Sequence, residues 1–308
     1  MIPSARRRLS RRLVRVLALL SLAAVSTTVV AAAAVTRSSG TSLGRSAPKP
    51  NRILYRENWE RGALDATQWG AQCKNLTGVD FTTGSLTPER AIVAQGRWAA
   101  RFDLPPDPTR SSSCEVIHNR TLDVGADDYY GLDVYFPTNW REPGDQPRSF
   151  WGLALAQFNF EDIYGGPVSL LAHKRYVNLV ILTGYINGTR ARWFSGNGTV
   201  RGNVRRMYAI PRPLKLGVWH QLIVHIHWSA GSDGAVDTWH RLGGQRWNRT
   251  VHLRGLPTVQ WSATKPPTPS MQTWDKFGAY RGQSSSPLTI WADGYCRGSS
   301  FRAAASCL

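Results

Sequence analysis

Apolar residues in this chain recur with a period of two in short runs, and Gly, Pro, Asn and Asp cluster between the runs. Tyr129 to Phe136, Leu153 to Phe160, Val177 to Thr183 and Gln221 to Trp228 are rich in Val, Ile, Leu and aromatics, and each predicts a strand. Ser232-Asp233-Gly234 and Gly243-Gly244 bracket a further strand around Val236 to His240 with tight connections. No amphipathic helical period persists, and no internal repeat is visible. Strands that must each bury one face predict an all-β protein, a β-sandwich.

Two of these strands concentrate polar chemistry. Within Trp274 to Gln283, alternation puts Lys276, Gly278 and Tyr280 on one face and Phe277, Ala279 and Arg281 on the other. In Ala156 to Phe160 the same period sets Gln157 and Asn159 side by side, roughly 7 Å apart, with Phe158 and Phe160 opposite. One surface therefore gathers a phenol and an ammonium group, and another gathers two amides. Alternation alone favours a glycine-bearing strand whose Tyr280 fills a core edge.

The chain opens with six arginines, Arg6, Arg7, Arg8, Arg11, Arg12 and Arg15, followed by an apolar stretch from Val16 to Val35. Ala-rich sequence near Ala34 suits signal-peptidase cleavage. The organisation expected is an export signal over 1–34, a flexible linker over 35–50 and a single domain over 51–308, giving a secreted monomer. Left uncleaved, about 20 apolar residues would make the first segment a membrane anchor instead. Removing that segment takes away six arginines and no acid, so a formal charge of +18 becomes +12. Such a surplus points to a polyanionic partner, and export sets nucleic acid aside in favour of acidic polysaccharide. Of the 38 basic residues 32 are arginine, which suits forked contacts to carboxylate or sulfate. Four cysteines in an exported chain predict up to two disulfides. Three pairings are open, and Cys73 with Cys114 and Cys296 with Cys307 is preferred because each pair ties a local segment.

Several stretches lie in an order that resembles the heparin lyase I-like and glucuronan lyase group of polysaccharide lyases. They are Tyr130-Gly-Leu-Asp-Val-Tyr-Phe-Pro137, Leu155-Ala-Gln-Phe-Asn159, Gly217-Val-Trp-His-Gln-Leu-Ile-Val-His-Ile-His-Trp-Ser229, Asp233-Gly-Ala-Val-Asp-Thr-Trp239 and Lys276-Phe-Gly-Ala-Tyr-Arg281. The terminal strand carrying Asp293 follows them. The resemblance implies a jelly-roll sandwich of the concanavalin A-like type, with a concave sheet that binds a uronate-containing chain and cleaves it by β-elimination. That reaction neutralises a carboxylate, removes a carbon-bound proton and protonates the leaving glycosidic oxygen. Tyr280 is the expected proton carrier, with Gln157 and Asn159 hydrogen-bonding the substrate carboxylate. Lys276, Arg281, Glu115, Arg205 and Arg206 are the expected substrate-binding residues. Phenol work as a base at neutral pH calls for a nearby cation, Lys276 or an arginine, because a free phenol titrates near about 10. No cofactor is required, no metal ligands are assigned, and a structural calcium is left open.

Two departures from the group bear on the mechanism. Asn159 stands where the group commonly has a histidine, and an amide accepts no proton at neutral pH. Ser113 stands where the related pattern has an arginine two residues before the glutamate.

Other candidates have plain structural readings. His118 alternates onto the face opposite Glu115, away from the groove. His225 and His227 share a strand face without a third ligand. His173, at a turn before Lys174-Arg175, is a candidate replacement base at the groove rim. Arg190 to Arg206 mixes arginines with Trp193 and Phe194 and suits either a loop over the groove or a solvated basic loop. Trp239 and Trp247, near turns, are candidate sugar platforms. The leading reading is a uronate polysaccharide lyase, and the alternative is a binding protein of the same fold that has lost turnover. A glycoside hydrolase, needing two carboxyls roughly 5 to 10 Å apart, ranks last because acids are sparse in the motif strands.

Overall fold

The computed structural model describes residues 51–73, 81–142, 152–160, 163–186 and 204–308; the side chains of some strand residues, Arg205 and Arg206 among them, lie outside the described set. The first strands are β1 (Ile53–Glu57), β2 (Gly70–Ala71), β3 (Phe81–Thr83), β4 (Ser85–Glu89), β5 (Ala99–Leu104), β6 (Ser111–Asp123) and β7 (Asp127–Tyr135). Then come β8 (Leu153–Phe160), β9 (Ile163–His173), β10 (Tyr176–Ile186), β11 (Val204–Pro213) and β12 (Trp219–His227). The chain closes with β13 (Ala235–Leu242), β14 (Asn248–Arg254), β15 (Gln260–Ser262), β16 (Ser270–Arg281), β17 (Leu288–Gly298) and a short helix α1 (Phe301–Ala305).

The strands form two largely antiparallel sheets, the β-sandwich that the alternation predicts and the jelly roll that the resemblance implies. One follows the order β14-β13-β12-β7-β17-β5-β4 with β1 on β17, and the other β11-β10-β9-β8-β16-β6-β2 with β3 and β15 on its flanks. Leu222, Val224 and Ile226 of β12 and Leu132 and Val134 of β7 face inward, and they meet Leu155 and Phe158 of β8, Leu179 of β10 and Phe277 of β16 in one core cluster. The odd-numbered residues of β12 point to the other side of their sheet, which is the period of two that the sequence carries. Both preferred disulfides form, Cys73–Cys114 and Cys296–Cys307.

Regular alternation breaks at one informative place. Along β6 the β16 register is continuous, but against β8 it shifts between Phe277 and Tyr280, a β-bulge. Gly278 sits in the bulge with φ of 135°, where a Cβ would come within 2.5 Å of the Cys114 carbonyl oxygen. Only glycine fits there, and beyond the bulge Tyr280 keeps the outward side that Lys276 faces.

Charged groups also lie inside the sandwich. Arg120 Nε donates to Asp275 Oδ2 at 2.8 Å, and Arg297 Nη2 meets Asp128 Oδ1 at 2.6 Å. Tyr55 donates to Asp275, Trp228 Nε1 to Asp128 at 2.8 Å, and Arg120 Nη1 lies 3.4 Å from Asp128 Oδ2. His118 faces this interior side, stacked on Tyr55 at 3.9 Å and tilted against Trp69 at 5.0 Å. Burial pulls its imidazole below the usual histidine range, with Asp275 opposing and Arg120 and Arg297 adding. A depressed histidine pKa means that the unfolded chain binds the proton more readily, so this contribution is held above the unfolded value and lost as pH falls through it. His118→Phe is therefore expected to shrink the drop in melting temperature between about pH 7.5 and about pH 5.5 relative to the parent. An unchanged drop would assign the acid sensitivity to other groups.

Candidate active site

Tyr280, Lys276, Gln157, Asn159 and Glu115 come to one face of the β8–β16–β6 ribbon. Strand register explains how. Gln157 on β8 lies opposite Lys276, and Glu115 on β6 lies opposite Gly278. Gln157 reaches across β16 on this face, and its Nε2 donates to Glu115 Oε1 at 2.7 Å. Ser113 Oγ donates to the other carboxylate oxygen at 3.2 Å, and Lys276 Nζ stands 3.8 Å from it. Lys276 also donates to Gln72 Oε1 at 3.2 Å. Glu115 is thus a buried acceptor that orients the glutamine and the lysine around it.

Tyr280 packs its ring on Ala154, Leu171 and Val180, a small apolar cluster on the outer side of the sheet. Burial raises its phenol above the ordinary range; a hydrogen bond with Ser111 opposes this and the Glu115 charge adds to it. Lys276 is committed to Glu115 and Gln72, so the expectation that it favours the phenolate is corrected: in this arrangement Tyr280 is held as a neutral proton donor. Asn159 is 4 % exposed, and its Nδ2 makes no hydrogen bond among the described residues. A buried amide donor without a partner is costly unless something docks against it.

Other expected residues lie elsewhere. Arg281 does not join the cluster: it is fully buried on the Phe277 face, and its Nη2 donates to the Pro105 carbonyl at 2.9 Å. There it lines, with Asn139, Trp140 and Arg141, a cleft of about 460 Å³. Strand parity overrides charge, and a substrate role for Arg281 in the groove is withdrawn. Arg205 and Arg206 lie in β11 opposite Leu182 and Ile181, with side chains outside the described residues. The stretch 187–203 lies outside them altogether. His173 ends β9 and is tied to Glu142 Oε1 at 2.5 Å, and the other Glu142 oxygen accepts from the Lys174 amide at 2.7 Å. His225 and His227 lie on the outer side of the opposite sheet, bound to Asp127 and Asp237. Among the described residues no group of three or more His, Cys, Asp and Glu side chains is arranged to hold a metal ion.

Sequence reasoning missed Gln72, Ser111 and the apolar seat of the Tyr280 ring. Gln72 was within reach, because pairing Cys73 with Cys114 already places it beside the strand that carries Glu115.

The model of the family described as "Polysaccharide lyase" matches residues 59–295. The chain belongs to the polysaccharide lyase family. Among solved structures, this family member is similar to the endo-β-1,4-glucuronan lyase of the fungus Trichoderma reesei, at 16% identity over 81% of this chain and 97% of that one, with a TM-score of 0.60. A PL-14 alginate lyase from Aplysia kurodai matches at 11% identity over 69% and 86%, with a TM-score of 0.45. A family 16 endo-glucanase from Bacteroides ovatus matches at 9% identity over 80% and 100%, with a TM-score of 0.44. The glucuronan lyase likeness establishes a shared fold for this polysaccharide lyase family member. No curated protein matches the chain.

Proposed function

We propose that this polysaccharide lyase family member is exported and cleaves a uronate-containing polysaccharide by β-elimination. The observation that carries the reading is the unpartnered amide of Asn159, buried on the same face as Tyr280, Gln157 and Lys276. A uronate carboxylate docked there would accept from Asn159, from the second N–H of Gln157 and from Lys276, which stabilises the charge that builds as the neighbouring C–H bond breaks. The C5–H and C4–O bonds break, a C4=C5 double bond forms, and the proton ends on the leaving oxygen. Tyr280, a neutral phenol in the resting site, supplies the leaving oxygen with its proton and takes up the one from carbon, so the phenol is regenerated. No cofactor enters this scheme. Two disulfides fit the oxidising compartment that export implies.

The test is incubation of the protein with glucuronan, alginate, heparin and pectin while following the ultraviolet absorbance of the unsaturated product. A second reading, glycan binding without turnover, is favoured by one specific observation: the site holds an amide at 159 and a phenol whose pKa is raised. Binding across the panel without unsaturated product would establish it.

Asn159 separates the two. Asn159→Ala is expected to lower turnover by about 10² to 10³, as loss of an oxyanion-type donor does. Asn159→His is expected to raise turnover and to extend activity to lower pH, because imidazole accepts a proton near neutrality where a phenol does not. A histidine variant no faster than the parent would show that the parent does not lack a base.

A further inference from the structure

The outer side of an antiparallel sheet that faces water is ordinarily polar. In the sheet that carries β12 to β14 it carries a run of aromatic rings beside its polar residues. Tyr129 of β7, Trp239 of β13, Trp247 of the β13–β14 connection and Phe301 of α1 form a strip with ring centroids 6.4 Å apart for Tyr129–Trp239, 4.9 Å for Trp239–Phe301 and 5.8 Å for Trp247–Phe301. All four rings are partly exposed, and none belongs to the core cluster or packs against it. Their hydrophobic area is not needed to close the sandwich.

Arginine dominates the charge around the strip. Residues 241–254 contain four arginines and no acid, and Arg246, Arg249 and Arg254 are exposed. Arg241 lies over the Trp247 ring at 4.3 Å. The two carboxylates that share this patch are already engaged, Asp237 by His225, His252 and Arg254, and Asp127 by His225 and His227. Asp237 is also buried, and Asp127, partly exposed, is held by two histidines, so the exposed forks of Arg246 and Arg249 dominate the Trp247 end of the patch. Partly exposed rings offer stacking faces for pyranose rings, and guanidinium forks match carboxylates bidentately.

We propose that this patch is a second binding surface for acidic polysaccharide, on the side of the sandwich away from Tyr280. It rests on the reading of the substrate as a uronate polymer, and charge complementarity is the argument for that occupant. Two surfaces on opposite sides of one molecule cannot both hold a short oligosaccharide, but they can hold separate stretches of a long chain and so raise retention on polymer alone.

The test uses the full chain with Trp247→Ala and with the double variant Arg246→Ser/Arg249→Ser, whose exposed positions leave folding intact. Retardation in gels containing glucuronan, alginate or polygalacturonate is expected to weaken by about tenfold in both variants. Turnover of a uronate tetrasaccharide is expected to match the parent. The retardation should also fall with added salt, since exposed charges are screened over about 8 Å at physiological ionic strength. If no polymer yields unsaturated product, the lyase reading fails, yet retardation still tests this surface. Unchanged retardation in the double variant overturns the proposal. So does loss of a concentration-dependent dimer in place of glycan affinity, which would make a second copy of this chain the occupant.

Discussion

Tyr280→Phe is expected to cut turnover of a uronate polymer by about 10³ to 10⁴ while leaving the fold and most of the glycan affinity in place. The ring stays, so its contacts with Ala154, Leu171 and Val180 remain. What goes is the phenol oxygen and its exchangeable proton. Burial and the nearby Glu115 carboxylate raise the phenol pKa, which keeps the proton on Tyr280 until a leaving oxygen takes it. No described histidine is placed to rescue the variant: His118 stacks against Tyr55 on the interior side, and His173 is held by Glu142. His118→Ala and His173→Ala should therefore be mild by comparison, and the same product assay read beside a thermal melt separates the three. Near-native turnover of Tyr280→Phe on a confirmed substrate would refute the assignment.

Much of the fold was legible because a sandwich imposes one simple rule on its strands. Phe277 inward with Lys276 and Tyr280 outward, Phe158 inward with Gln157 and Asn159 outward, and His118 opposite Glu115 all follow from the period of two. Arg281 was misplaced because its positive charge was allowed to outweigh its parity with Phe277, and parity decided. The contact between Gln157 and Glu115 was not legible, since it depends on which two strands flank β16 and in which register. The bulge in β16 leaves only that glycine as its trace in sequence. Asp275 did carry a usable sign: it shares the face of Phe277, and a carboxylate there must find buried partners. Which partners was beyond reach, because Tyr55 and Arg120 come from strands far apart in the chain.

Asp275→Ala is expected to destabilise the domain by about 3 to 5 kcal/mol, the largest stability loss of any single change considered. Asp275 is fully buried and holds Arg120 through Nε, and it accepts from the Tyr55 hydroxyl. Removing it leaves a guanidinium that is itself 8 % exposed with, among the described residues, Asp128 and the Tyr130 hydroxyl to share, while Asp128 already serves Arg297 and Trp228. Burial and the Asp275 charge together hold the Tyr55 phenol well above its usual range, so the variant should also bring that phenol closer to it. The cost comes from stranding a charge and not from the worth of the pair, because desolvation offsets most of what a buried ion pair gains. Arg120→Met combined with Asp275→Leu should accordingly cost less than Asp275→Ala alone. Urea unfolding of the parent, the single variant and the double variant measures this directly. A double variant as unstable as the single one would mean that packing and the hydrogen bonds to Tyr55 and Tyr130, and not an uncompensated arginine, set the cost.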